Sequence, residues 1–383
     1  MLRQSPVLDL WTSVPLAHAR AALRARDADV VASQIAVSEI EAPTGDERRR
    51  GEWVAERFRA IGLRDVRMDG ADNVIGRRDG AADVAPVVIC AHLDTVFPSG
   101  TPLRVRRSGP RLVGPGIGDN GRGLAAMLAL ADVIDGARVR THAPVDFVAT
   151  VGEEGTGDLR GAKHLFDHAA ANARAAIALD GAGDERIVHR ALGSRRFRIA
   201  FRGPGGHSWT AFGVPNAVHA AALAAAKLAR LPRPAAPRTT LSVGRIGGGI
   251  AVNAIPEEGW LEVDLRSTSI TVLDRYEREI HAAARAASDE ENARRARGTA
   301  PLAETITRIG MRPGGDTDAA HPLVAFAVDT TRLIGREPEL ATASTDANVP
   351  ISLGIPAIAV GAGGKGGDTH TTEIGRASCR ERV

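Results

Sequence analysis

Five segments of this chain place an acidic residue or a histidine at or just beyond an apolar run or a glycine-rich turn. VVICAHLDT carries His92 and Asp94, GIGDNGRG carries Asp119, and VDFVATVGEEG carries Glu153 and Glu154. AAIALDG carries Asp180, and IPAIAVGAGGKGGDTH carries His370. Short Val/Ile/Ala runs that stop at turn residues read as buried strands. Four of the five segments have that form. In open α/β sheets, ligands bind in the crevice beyond the carboxyl ends of the strands. One sheet could therefore bring two histidines and several carboxylates to one edge. That donor mix suits Zn²⁺, with Mn²⁺ or Co²⁺ as second choices.

The organisation agrees with such a sheet. ERRRGEWVAERFRAIG places Trp53, Val54, Phe58 and Ile61 on one helical stripe, and Thr44-Gly-Asp-Glu47 before it has the spacing of a capping box. From about residue 86 to 186, strands alternate with Ala-rich helices, which predicts a mostly parallel sheet with helices on both faces. Near Ile187 the pattern changes. SRRFRIAFRG, TTLSVGRIGGG, WLEVDLRST and ETITRIGMRPGG read as strands. VPNAVHAAALAAAKLARL and TVLDRYEREIHAAARAAS read as helices between them. Strand-helix-strand-strand-helix-strand is the split βαβ, ferredoxin-like arrangement. LVAFAVDTTRLIG and IPAIAVGAGG then return to the earlier style. The expected domains are 1–186, an α+β insertion over 187–313, and 314–383.

Composition excludes several classes. A charge of +3 over 383 residues, without a basic stripe, gives no reason to expect nucleic acid or an anionic membrane as partner. No apolar run approaches the ~20 residues of a membrane helix. The first residues lack the pattern of a secretory signal, and two cysteines suggest no disulfide framework. A cytoplasmic enzyme is the expectation. The end, EIGRASCRERV, has no periodicity and back-translates without a gap into a common sequencing-adapter oligonucleotide. Residues 374–383 are therefore expected to be adapter-derived, with the natural gene continuing past Glu373.

Taken singly, the polar residues are weak signals. Asp94, two residues after His92 on an extended chain, could brace the imidazole. Asp119 alone could be a helix N-cap. Glu153 and Glu154 follow a run where bare charge is costly without a cation. Gly205-Gly206-His207-Ser208 is a glycine-rich turn presenting an imidazole. Arg266 could clamp a carboxylate or form a strand salt bridge. His164, His168, His189, His219, His281 and His321 lack the strand-end setting and are expected in solvent. GAGGKGG lacks the order of a phosphate loop.

Together, HLDTV, GDNGRG, GEEG, ALDG, GGHS, VNAIPEEGWLEVDLRS and THTTE resemble the two-zinc amidohydrolase and exopeptidase family. That family includes peptidase T, glutamate carboxypeptidase, acetylornithine deacetylase, succinyl-diaminopimelate desuccinylase and aminoacylase. The resemblance runs from about residue 35 to Glu373, with the motifs in the family's order. It implies a zinc exopeptidase-like catalytic domain with an inserted lid that dimerises. It implies that Asp119 bridges two divalent ions, with His92 and Asp180 completing one and Glu154 and His370 the other. Glu153 would be the general base and Asp94 would orient His92. His207 from the partner's lid would stabilise the oxyanion, and Asn253 and Arg266 would contact substrate. Two cations about 4 Å apart need a bridging carboxylate and allow a water between them to ionise near neutral pH. The expected activity is amide or peptide hydrolysis of a small substrate, most simply a di- or tripeptide. An N-acyl amino acid deacylase is the alternative. A non-catalytic protein retaining the fold is a further one.

Overall fold

The computed structural model describes residues 6–232, 234, 236–367 and 376–378. These form two compact units, one running to Ala191 and resuming at Asp316, the other Leu192–Gly315. The second unit begins a few residues after the change of pattern at Ile187, because Arg186–Ala191 is still a strand of the first unit's sheet.

The first unit is built on a mixed, largely parallel sheet. Its strand order is Arg64–Met68, Val74–Arg78, Val145–Thr150, Val87–His92, Ala175–Leu179, Ala357–Val360, Arg186–Ala191. The four strands from Val145–Thr150 to Ala357–Val360 are mutually parallel, so their carboxyl ends share one edge. Glu339–Ala343 adds in parallel beside Arg186–Ala191. The continuous apolar runs arise because the sheet is covered on both faces. Alternate residues of one strand serve different cores. Phe147 and Ala149 pack with Val54, Phe58, Leu124 and Met127 on one side. Val148, with Val88 and Cys90, packs with Leu165, Phe166 and Val349 on the other. The helix Arg48–Ile61 delivers its Val54–Phe58 stripe to the first core and ends at Gly62 in the left-handed conformation. His189, expected in solvent, is buried in its strand, where its Nδ1 lies 2.7 Å from the Thr317 carbonyl. Arg376–Ser378 pairs antiparallel with Arg111–Val113.

The second unit is a four-stranded antiparallel sheet in the order Thr239–Gly248, Glu258–Ser267, Gly193–Arg202, Ala303–Arg312. Helices Ala217–Ala229 and Ile270–Asn292 cover one face. Phe197 pairs with Val263 and Ile199 with Leu261 beneath those helices. The other face is a ladder of cross-strand ion pairs: Arg196–Asp264 at 3.0 Å, Arg198–Glu262 at 2.9 Å and Arg202–Glu258 at 3.2 Å. Such partly exposed pairs contribute about 0.2–1 kcal/mol each. The architecture is therefore the expected α/β sheet with a ferredoxin-like α+β insertion.

Candidate metal centre

His92 ends its strand and is 2% exposed. Its Nδ1 lies 3.1 Å from the backbone carbonyl of Asp94. A proton on Nδ1, donated to that carbonyl, leaves the Nε2 lone pair for a cation. Nε2 is 2.9 Å from Asp119 Oδ1 and 3.9 Å from Asp180 Oδ1. Asp119 comes from the loop before helix Gly121–Gly136. The cap of that helix is Asn120, not Asp119: the side-chain Oδ1 of Asn120 accepts from Gly123 N at 3.2 Å. Asn120 also accepts from Gly181 N and donates to the Leu179 carbonyl, so it grips both sides of Asp180.

Asp94 is fully buried. Its Oδ1 accepts from the Glu153 amide and its Oδ2 from the Glu154 amide, each at 2.9 Å. Thr44 Oγ1 donates to Oδ2 at 2.8 Å, while the His92 ring stands 3.5 Å from Oδ1. The carboxylate thus fixes the loop of the two glutamates more closely than it fixes the imidazole. Burial works to raise the Asp94 pKa, but the His92 ring and the two amides overcome it and hold it at about 2. Burial also opposes charge on His92, yet its bonds to Asp119 and Asp94 keep its pKa well above the usual value. Asp180 moves the other way. Burial first, then the charge of Asp119, pushes it up to about 7.

His92, Asp119 and Asp180 offer donor atoms within 4.8 Å of one another, and so do His92, Glu153 and Glu154. Carboxylates crowded enough to force a proton onto one of them are relieved by a cation, and imidazole with carboxylate donors fits Zn²⁺, Co²⁺ or Mn²⁺. His370, expected with Glu154 on the second metal, lies outside the described residues.

The remaining expected residues lie on the second unit. Gly206–His207 pairs with Ala254–Ile255, and the Ser208 amide donates to the Asn253 carbonyl at 3.0 Å, so His207 and Asn253 are neighbours. Both are exposed, as are Trp209, Phe212, Ile250 and Val252 around them. Arg266 is elsewhere, with Nε 2.7 Å from Asp264 on its own strand. The strand salt bridge considered for Arg266 is formed.

Three supporting residues were not anticipated. The Thr44–Glu47 spacing does not cap the helix: Glu47 is the first flanking residue, and its side chain makes no cap bond. Thr44 instead binds Asp94, and Glu47 accepts from the amides of Gly45 and Gly152. Arg50, 1% exposed, donates to the carbonyls of Leu93 at 2.6 Å and Ile40 at 3.0 Å. The signal was present in the helical stripe. Glu47 and Arg50 continue it at three-residue steps toward Trp53, so two charges stand where apolar residues would.

A sheet with clustered carboxylates and imidazole at its carboxyl edge, in a chain that carries an inserted ferredoxin-like unit, is an arrangement suited to metal-dependent hydrolysis. Residues 73–198 match Peptidase family M28, and residues 190–292 match the peptidase dimerisation domain. A tripeptidase of Staphylococcus aureus is similar over 92% of this chain and 94% of its own, with a TM-score of 0.76 and 24% identity. The aminopeptidase PepT of Bacillus cereus covers the same shares at a TM-score of 0.73 and 24% identity. A dinuclear metal-binding peptidase of family M20 from Bacillus subtilis gives a TM-score of 0.67 at 15% identity, covering 93% of this chain and 94% of its own. A protein named "Probable carboxypeptidase" from Aspergillus terreus is 27% identical over 259 residues, 60% of this chain. That match spans 58% of the Aspergillus protein's length. Two parts of the chain thus match peptidase-type family models, and its fold is that of the tripeptidase, PepT and M20 peptidase structures. Among the described residues no helix is long and apolar enough to cross a membrane.

Proposed function

We propose that the chain is a cocatalytic-metal exopeptidase acting on di- or tripeptides. The observation that carries the reading is the convergence of Asp119 and Asp180 on His92 Nε2, with Glu153 and Glu154 pinned beside them through Asp94. His92 and Asp180 would hold one divalent ion, Glu154 and His370 a second, and Asp119 would bridge them; zinc is the favoured metal, with cobalt or manganese possible. When bound, the pair supplies Lewis acidity at the scissile carbonyl and lowers the pKa of water. The protein's own residues do the rest. Glu153 takes the proton from the attacking water and returns it to the leaving amine. Asp94 keeps His92 and the glutamate loop in register.

The second unit is proposed as a lid that also joins two subunits. His207 of the partner subunit would donate to the developing oxyanion, a contribution of a few kcal/mol (about 3) in comparable sites. Asn253 would contact substrate beside it. Arg266 would bind a substrate carboxylate with the guanidinium edge that Asp264 leaves available. The names of the tripeptidase and PepT neighbours support peptides as substrates over N-acyl amino acids.

The test is turnover of Ala-Ala-type peptides against N-acetyl amino acids, with added Zn²⁺, Mn²⁺ or Co²⁺. Peptide turnover is the expected result. Turnover of the acyl series alone would replace the peptidase reading by a deacylase. Metal binding without turnover of either series would favour a non-catalytic protein.

A further inference from the structure

We propose that Thr44 and Glu47 form a positioning clamp that fixes the glutamate loop and Asp94 at the same time. The proposal rests on the roles given above to Asp94 and Glu153. The turn between the two residues is short, and its ends reach different parts of the site. At one end the Thr44 hydroxyl donates to Asp94 Oδ2 at 2.8 Å. The Thr44 amide itself is tied to the Thr95 carbonyl at 3.3 Å, so the hydroxyl approaches from a fixed backbone.

At the other end the Glu47 carboxylate is 2% exposed. Its Oε1 accepts from Gly45 N at 2.8 Å, which closes the turn, and from Gly152 N at 3.1 Å. Gly152 immediately precedes Glu153. The other oxygen, Oε2, pairs with Arg160, whose second terminal nitrogen donates to the Ala71 carbonyl. Arg160 lies against Gly152, close enough that a Cβ there would stand 2.6 Å from the Arg160 side chain. The next residue back, Val151, is held through its amide to Asn73 Oδ1 and through its carbonyl to the Gly161 amide. Three successive loop amides, Gly152, Glu153 and Glu154, therefore end on two buried carboxylates, Glu47 and Asp94, and Thr44 links the turn of the first to the second.

A buried carboxylate that serves only to fold the chain would not need to end on the residue before a general base. Backbone amides bound to a carboxylate are stronger than neutral pairs, and they leave the loop little freedom to rotate. The clamp sets where the Glu153 side chain starts from, while touching neither substrate nor metal.

The test compares Thr44→Val, Thr44→Ser and Glu47→Gln with the parent protein. Hydrogen exchange at the amides of Gly152, Glu153 and Glu154 is read in metal-depleted and Zn²⁺-loaded protein, and kcat and KM for a dipeptide are read separately. Thr44→Val should speed exchange at Glu154 by about tenfold, as expected for a weakened local anchor. Glu47→Gln should do so at Gly152. Both should lower kcat about 10–100-fold, the usual cost of losing an outer-shell partner, with KM within about twofold. Thr44→Ser, which keeps the hydroxyl, should restore both readouts. Parent-like exchange at all three amides in both Thr44→Val and Glu47→Gln overturns the clamp. So does an equal defect in Thr44→Ser and Thr44→Val. Should Glu47→Gln not fold, the isosteric Thr44→Val with its Thr44→Ser control decides. Should the parent hydrolyse no peptide, the exchange data still judge the clamp, and only the peptidase reading falls.

Discussion

Replacing Asp94 by Asn tests the centre of this arrangement, because the two side chains have nearly the same shape. The carboxylate accepts from three donors inside 3 Å: the Glu153 amide on Oδ1, and the Glu154 amide and Thr44 hydroxyl on Oδ2. An asparagine has one acceptor oxygen. With its NH₂ turned toward Glu153, the Glu154 and Thr44 bonds survive and one buried amide faces a donor. An unsatisfied buried donor costs about 1–3 kcal/mol, and the surviving bonds each lose about 1 kcal/mol of charge assistance. The expected loss is therefore about 3–5 kcal/mol near neutral pH. The pH dependence supplies an independent route. Asp94 is held at about 2 against an ordinary 3.8. A depressed carboxylate stabilises the fold above its unfolded pKa, and the gain disappears as pH falls through the folded value. The shift corresponds to about 2 kcal/mol, of which about 1 kcal/mol is gone by pH 3. Urea unfolding of metal-depleted parent and Asp94→Asn proteins at pH 7 and pH 3 measures both quantities. The gap between them should be about 3–5 kcal/mol at pH 7 and about 1 kcal/mol smaller at pH 3. A gap under about 1 kcal/mol at pH 7, or one that does not change with pH, refutes the role given to this carboxylate.

Other outcomes follow from the same geometry. Glu153→Gln should abolish turnover and leave metal content intact, measured by elemental analysis; unchanged turnover removes Glu153 as the base. Asp180→Asn should stabilise the metal-depleted protein above neutral pH, because burial and Asp119 push the native carboxyl up to about 7 and its charged form is unfavourable there. The same variant should lose the rise in melting temperature that Zn²⁺ gives the parent; a parent-like rise excludes Asp180 as a ligand. Gly152→Ala should lower the melting temperature and activity together. Gly152 has φ +64°, where an L residue costs about 1–2 kcal/mol, and the new Cβ meets Arg160. Parent-like unfolding would show that the loop adjusts freely.

What could be read from the sequence, and what could not, divides along a physical line. The four parallel strands were legible because each is a nearly unbroken apolar run, a pattern that only a sheet covered on both faces produces. Their shared edge followed from topology, and it brought His92, Asp119, Glu153, Glu154 and Asp180 together without any knowledge of their contacts. The alternating strands of the second unit were equally plain, since one face lies under helices and the other carries ion pairs. The supports of the centre were not legible in this way. Thr44 and Glu47 carry the spacing of a helix cap, and local hydrogen bonding would satisfy it. In the fold the two side chains instead bond Asp94 and the Gly152 amide, about 50 and 105 residues further on. No period in a sequence encodes so distant a meeting. What a sequence does encode is the exception: a charge on a stripe that should be apolar. Arg50 and Glu47 are two such exceptions one helical turn apart, and both end on backbone or side-chain groups next to the centre. A charge out of place on a helix that packs against a strand carrying His-x-Asp is therefore better read as a support for that strand's end than as a surface residue.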